Sequence, residues 1–428
     1  MTISYICRKC GRSHSNHEYE ESRFCQTCGA FLILKYDVNR SQSLSKNSSY
    51  AKENKISQEK TSKTKHSEKT PSELVRVAQR LREKVTGSRE YTVVSNSAAK
   101  HSEPITSPVE SWIWNTEYND ALKLERKLVS KFKEKSLEEA IPGNTISNDQ
   151  GECYSISTTC VARFNLASYE KSRQLLISDL KIVPGIGPAR EQALRQQGYT
   201  TVEELTNHPI WNKPAQKFMQ LIDSKEVRSA QDWLWHRLPK SHPLAHYLAG
   251  LCSCEDFAII DIETLGLSER PIILMGIAKP KGNSICTSQF LLRDIPDEPS
   301  AIWALISQLE PSSSLISFNG RSFDIPYIKQ RLAYYGMDAT FNNPHFDVLH
   351  FTRRALGKKL ANCRLETVEK YLNIQRGIDI PGAMVPHFYE TYLKTRNVGP
   401  LVAIVEHNKQ DLITLGSLFS RLYEEWDL

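Results

Sequence analysis

The chain has 428 residues and a formal net charge of +6, long enough for two or more folded units. No stretch approaches the ~18 consecutive apolar residues that a membrane-spanning helix needs, and the opening MTISYICRKC lacks the charged-then-apolar layout of a secretory signal. From Leu251 onward there are 18 Lys+Arg against 21 Asp+Glu, so the first 250 residues hold 37 against 28; a basic front on an acidic end suits a polyanionic partner.

Residues 1–35 are Cys-rich. Cys7-Arg8-Lys9-Cys10 and Cys25-Gln26-Thr27-Cys28 are two CxxC knuckles, each followed by Gly. Four thiolates at this spacing suit one tetrahedral zinc, and the Gly lets the backbone turn behind the ligands. The unit resembles a zinc ribbon with a structural, filled site; His14 and His17, in the loop between, are spectators. The other six Cys are scattered without a disulfide framework, which points to a reducing compartment, the cytoplasm.

Residues 36–105 read as a mostly disordered basic linker. Between 41 and 70 only Leu44, Tyr50, Ala51 and Ile56 are apolar, too few to offset the entropy of ordering the backbone. A helix is expected over 72–86, where Leu74, Val75, Val77, Ala78 and Leu81 share a face. Residues 106–169 form a small α+β leading segment, with a helical stretch near 118–140 and an alternating strand in GECYSISTTCVARF.

Residues 170–250 look helical around a Gly-rich turn. Here LKIVPGIGPAREQALRQQGYTTVEEL resembles a helix-hairpin-helix motif, with Pro184-Gly185-Ile186-Gly187 as the hairpin and 189–197 as the second helix. Gly185 and Gly187 allow backbone amides to approach a phosphate at a helix N-terminus, and Arg190 and Arg195 can add charge. Such contacts read the backbone and not the bases. A purely structural helical hairpin has the same pattern.

From residue 251 to the end, short apolar strands alternate with helices, an α/β layout. Asp261 and Glu263 stand two apart in the apolar strand FAIIDIET and so face the same way. Two carboxylates side by side in such a strand call for a neutralising cation, and hard oxygen ligands suit magnesium or manganese. A second strand, Leu315–Phe318, runs through NGRSF into Asp324 at a helix start, the crevice position of a sheet; alone, Asp324 could equally be a cap. The last helix, Leu401 to Glu425, carries His407, Asn408 and Asp411, with His407 and Asp411 on one face.

Together, DxE, FNGxxFD and the terminal HNxxxD resemble the ribonuclease-H-like DEDD 3′–5′ exonuclease superfamily. DIETLGL, FDVLHFTRRAL, NCRLETVEKYLNI, DIPGAMVPHFYETYL and PLVAIVEHNKQDLITL resemble its YprB-type branch over 257–428. The resemblance implies a mixed sheet flanked by helices and two magnesium or manganese ions on Asp261, Glu263, Asp324 and Asp411. Asp261 would bridge the ions and His407 would take the proton of the attacking water. His407 lies three intervening residues from Asp411, the spacing at which the family's Tyr-type branch has Tyr; the His-type branch has four. His345, Asp347 and His350 are nearby candidates, with Asp347 behind the ligands at most. Arg353, Arg354, Lys358 and Lys359 form a basic run that is either a phosphate contact or a solvated face. The expected activity is a metal-dependent 3′–5′ exonuclease on nucleic acid, DNA before RNA. A structure-specific endonuclease on the same fold and a non-catalytic nucleic-acid-binding protein are the alternatives.

Overall fold

The computed structural model describes residues 108–428 except Ser268, Asp379 and the last two residues, with side chains from 117 onward, and three short strands near the N-terminus. The chain divides into two compact units, Met1–Arg80 and Leu81–Leu428. In the first, β1 (Ser4–Cys7) pairs antiparallel with both β2 (Ser13–Ser15) and β3 (Leu32–Leu34). Cys10, Cys25, Cys28, the Cys7 side chain, the linker and the helix expected over 72–86 lie outside the described residues.

The second unit is built on a mixed seven-stranded sheet. Its strands are β4 (Asn144–Asn148), β5 (Gly151–Val161), β6 (Phe257–Thr264), β7 (Ile272–Lys281), β8 (Ser284–Leu291), β9 (Ser314–Ser317) and β10 (His345–Asp347), in the spatial order β10-β9-β6-β7-β8-β5-β4. β6, β9 and β10 run parallel, and the remaining neighbours are antiparallel. The strand read in GECYSISTTCVARF is β5, and it extends the sheet by pairing with β8 from Tyr154↔Leu291 to Val161↔Ser284. β7 is buried at seven successive positions, which requires cover on both faces and explains its nearly unbroken apolar run.

The helices are α1 (Pro108–Lys131), α2 (Tyr169–Ser178), α3 (Pro188–Gln196), α4 (Asn212–Asp223), α5 (Val227–Trp235), α6 (Glu298–Ile306), α7 (Asp324–Tyr335), α8 (Val348–Leu356), α9 (Leu365–Tyr371), α10 (Val385–Thr395) and α11 (Gly399–Arg421), with a few single turns between them. α11 lies along β6, β7 and β8 and also packs on α1. It approaches α1 closely at Gly399, where a Cβ would stand 2.5 Å from the Leu128 carbonyl oxygen. None of the described helices is long and apolar enough to cross a membrane.

One apolar core runs without interruption from the helices of 169–251 into the sheet, joining Leu180, Leu194, Phe218 and Leu234 to Phe257, Phe346 and Phe419. α5 is the suture. Its Gln231 amide donates to the His345 carbonyl at 3.1 Å and accepts from the His345 N–H at 3.1 Å, closing the open edge of β10. Two residues on, Trp233 Nε1 donates to the Ile182 carbonyl at 3.1 Å, so the same helix grips the segment that leads into the Gly-rich turn.

Candidate functional site: a carboxylate cluster at the strand ends

The parallel strands β6, β9 and β10 end on one side of the sheet, and the acids gather there. Asp261 and Glu263 project from β6, Asp324 is the first residue of α7, and Asp411 lies on α11 with His407 one turn before it. Glu263, Asp324 and His407 are 8%, 4% and 6% exposed. His407 Nε2 stands 4.0 Å from Glu263 Oε1 and 3.7 Å from Asp411 Oδ2. The structure therefore brings together all five residues singled out from the three separate motifs.

Local sequence explains each position. Asp261 pairs across the sheet with Gly276, and a Cβ at 276 would stand 2.3 Å from Asn408 Oδ1. The missing side chain lets Asn408 lie over the strand and donate to Asp261 Oδ2 at 2.7 Å and to the Asp261 carbonyl at 3.2 Å. Gln289 Nε2 fixes the amide by donating to Asn408 Oδ1 at 2.8 Å. At the second motif, Asn319 turns the chain through a left-handed conformation, φ 65°, which Asn tolerates better than most residues. Gly320 then packs where a Cβ would meet Ser317 Oγ at 2.3 Å.

Asp347 anchors that turn. Its carboxylate accepts from the amides of Asn319 (2.8 Å), Arg321 (3.2 Å) and Leu349 (3.3 Å), capping α8 and holding the loop that ends in Asp324. His345 donates or accepts at Ser317 Oγ, 2.7 Å away, and burial pushes its pKa down to about 3. Burial likewise lowers His350, against the pull of Asp347 at 4.0 Å. These three support the loop from behind.

Burial is the first cause of a strong upward shift in the proton affinity of both Asp261 and Glu263. Asp411 is the next for both; Asp324 adds to each and Glu263 to Asp261, while the Asn408 bond opposes the shift at Asp261 and Arg376 opposes it at Glu263. Arg376 and Glu369 carry no motif that singles them out in the sequence. The Arg376 guanidinium donates to Asp411 Oδ1, to Glu369 Oε2 and, at 3.1 Å, to His407 Nδ1. Glu369 is only 2% exposed and also accepts from Thr414 Oγ1 at 2.5 Å. Because an Arg guanidinium only donates, His407 Nδ1 must be the acceptor, and the neutral ring carries its hydrogen on Nε2, toward Glu263 and Asp411.

The donor set suits hard divalent cations by chemistry, since it offers buried carboxylate oxygens whose mutual repulsion a cation relieves. As the side chains stand, no three His, Cys, Asp or Glu among the described residues converge tightly enough to hold an ion. Asp261 Oδ2 accepts from Asn408, and Asp411 Oδ1 accepts from Arg376.

A cationic patch adjoins the loop before Asp324. Arg321 Cζ lies 4.0 Å from the centre of the Trp235 ring, with Arg228 at 5.8 Å and Lys240 Nζ at 5.6 Å. Arg353, Arg354 and Lys358 are exposed, whereas Lys359 bonds Glu425 at 2.6 Å. The Gly-rich turn lies apart from the acids in sequence and is well formed. Gly185 is left-handed (φ 90°), and a Cβ there would stand 2.8 Å from the Trp211 ring. Gly187 (φ −109°) precedes α3 with open space around it. Arg190 donates to the Gly185 carbonyl at 2.5 Å and lies 5.8 Å from the centre of the Trp211 ring, bracing the turn. Arg195 is likewise engaged, bonding Glu191 at 2.9 Å and the Ser178 carbonyl at 2.7 Å.

A family model described as RNase_H superfamily matches residues 258–423. The uncharacterized protein YprB of Bacillus subtilis (strain 168) is 31% identical over 192 residues, 44% of this chain and 46% of that protein. The chain thus spans just under half the length of the curated relative it matches. The family B DNA polymerase from the hyperthermophilic archaeon Pyrobaculum calidifontis is 12% identical at a TM-score of 0.32, over 39% of this chain and 24% of the polymerase. That likeness is too distant to add to the fold argument.

The raised proton affinities set a pH dependence for the metal-free protein. A carboxyl whose folded pKa is raised contributes stability at low pH, where it is protonated, and loses it as pH climbs through the folded value. Chelator-treated protein should therefore melt at lower temperature at pH 8 than at pH 5.5. Asp261→Asn should raise the melting temperature, more at pH 8 than at pH 5.5. An equal effect at both pH values would show that Asp261 is not held under electrostatic strain.

Proposed function

We propose that the RNase_H superfamily domain at residues 258–423 is a divalent-cation-dependent nuclease that hydrolyses phosphodiester bonds, acting as a 3′–5′ exonuclease with DNA as substrate. The observation that carries this reading is the convergence of Asp261, Glu263, Asp324 and Asp411 at the ends of parallel strands, where Asp411 and Asp324 add to the raised proton affinity of Asp261 and Glu263. A protein that only binds nucleic acid gains nothing from four mutually repelling carboxylates beside its ligand.

Asp261, Glu263, Asp324 and Asp411 would hold two magnesium or manganese ions. Bound there, the ions supply an activated water and neutralise charge on the phosphoryl group. Asn408 holds the Asp261 carboxylate and ties it to its own backbone carbonyl through two hydrogen bonds. His407, expected from the sequence to take the proton of the attacking water, has its Nδ1 lone pair engaged by Arg376. In that state Nε2–H is a donor, suited to orienting the water or a phosphate oxygen. The Arg321, Arg228 and Lys240 patch around Trp235 suits the phosphates of the bound strand.

The remaining assignments complete the reading. Cys7, Cys10, Cys25 and Cys28 hold one structural zinc, an assignment from CxxC spacing that elemental analysis of the purified chain would overturn by finding none. The turn at Gly185 and Gly187, with Arg190 bracing it, presents the free amides at the start of α3 to a phosphate of the nucleic acid.

Asp261→Ala and Asp411→Ala should each leave the fold intact and remove hydrolysis by on the order of a thousandfold or more, the loss expected when several kcal/mol of metal-centred transition-state stabilisation go. An end-labelled strand should be shortened from its 3′ end and a circular strand left whole. Cleavage of the circle would establish the endonuclease alternative, and near-normal turnover by either variant would displace the site.

At the hairpin, Gly187→Val is the cleaner probe, because its neighbourhood is open whereas a Cβ at Gly185 collides with Trp211. The variant should keep its melting temperature and bind long duplex DNA more weakly, with the salt slope smaller by about one phosphate contact. Unchanged affinity and slope would leave the turn a structural element only.

A further inference from the structure

We propose that Arg376 is a positioning residue for the carboxylate site: held in place by Glu369, it fixes Asp411 and sets which nitrogen of His407 carries the hydrogen. This rests on the nuclease reading above for its purpose, though not for its geometry.

Arg376 is part of a closed circuit of hydrogen bonds. Thr414 stands three residues after Asp411, on the same face of α11. Thr414 donates to Glu369 on α9, and Glu369 accepts from Arg376, five residues past the end of that helix. Arg376 returns to α11 through Asp411 and His407. The side chains of Arg376 and Glu369 are 6% and 2% exposed, so water competes little for these bonds. A planar guanidinium with donors in a fixed fork is the group that can serve three acceptors at once; a Lys ammonium has no such plane.

Charge decides between two roles for this Arg. If it merely filled the place of a metal ion, it should bind the catalytic acids and nothing else. Instead its charge is matched by Glu369, a carboxylate outside the set of four. That bond to Glu369 does not depend on the four acids and would persist with divalent ions bound to them. Arg376 therefore belongs to the wall of the site and stays when ions enter. The circuit engages Asp411 Oδ1 and turns Oδ2 toward His407. It also leaves Nε2–H of His407 pointed at Glu263 and Asp411, a donor beside the reacting groups.

The test uses the full-length, metal-free protein with 15N-labelled histidine. In wild type, the His407 signals, identified by their loss in His407→Asn, should show a bare Nδ1 and a protonated Nε2. Arg376→Lys should move them toward a mixture of tautomers. Manganese binding, followed by electron paramagnetic resonance, should weaken by about 10–100-fold in Arg376→Lys, the usual effect of removing a group that orients a metal ligand. Should Arg376→Lys fail to fold, Glu369→Gln combined with Arg376→Gln removes the circuit without leaving a buried charge, and the same two changes are expected. Tighter manganese binding in either variant would show that Arg376 is a plug competing with metal, and an unchanged His407 spectrum would remove it from tautomer control; either overturns the proposal. Wild-type protein that binds no manganese at all would sink the nuclease reading instead, and the histidine spectrum would still decide the role of Arg376.

Discussion

Four carboxyl groups drawn to one end of a buried strand repel each other and lose their hydration, and much of the arrangement around them follows from that cost. Asp261 and Glu263 cannot be moved apart, because the two-residue repeat of β6 points both the same way. Their proton affinity is raised by burial and by Asp411 and Asp324. An amide at Asp261 or Glu263 would relieve that repulsion, whereas Asp411 also answers the buried charge of Arg376. Cations bound among these acids would relieve that strain.

The surroundings limit how the strain can be released. Gly276 makes room for Asn408, which ties α11 to the backbone and carboxylate of Asp261. Asp347 gathers three amides and so fixes the turn that presents Asp324. Arg376 and Glu369 fasten the opposite side through Asp411 and His407. Each device comes from a different element, so the acids are held by the fold and not by their own neighbours in sequence. α5 extends the same rigidity to the helices of 169–251, by closing the β10 edge and gripping the segment before the Gly-rich turn.

The parts of this site that follow local rules were legible in the sequence. The apolar run FAIIDIET could only be a buried strand, and its period put the two acids on one face. The turn NGRSF announced a helix starting at Asp324, where α7 begins, and the terminal periodicity gave α11 within a few residues. What depended on distant partners was not legible. Arg376 lies in an aperiodic stretch, and its partners Glu369 and Asp411 are 7 and 35 residues away. Asp347 was visible as an acid near the site, but two of its three amide bonds reach a loop that lies more than 20 residues earlier. The strand at Gly151–Val161 was readable, whereas its partner β8, some 130 residues on, was not. The arginines beside the hairpin, read as charges offered to phosphate, are held by Gly185 and Glu191, a use that composition cannot distinguish. The cysteine side chains expected to hold zinc and the expected basic linker fall outside the described residues.

If the four acids hold divalent cations, anomalous diffraction from a crystal soaked in manganese should show two peaks among Asp261, Glu263, Asp324 and Asp411, close enough to share Asp261, with Arg376 still bound to Glu369. Crystals in which these acids remain without manganese at millimolar concentration, or in which manganese is bound only elsewhere, would contradict that role for the acids.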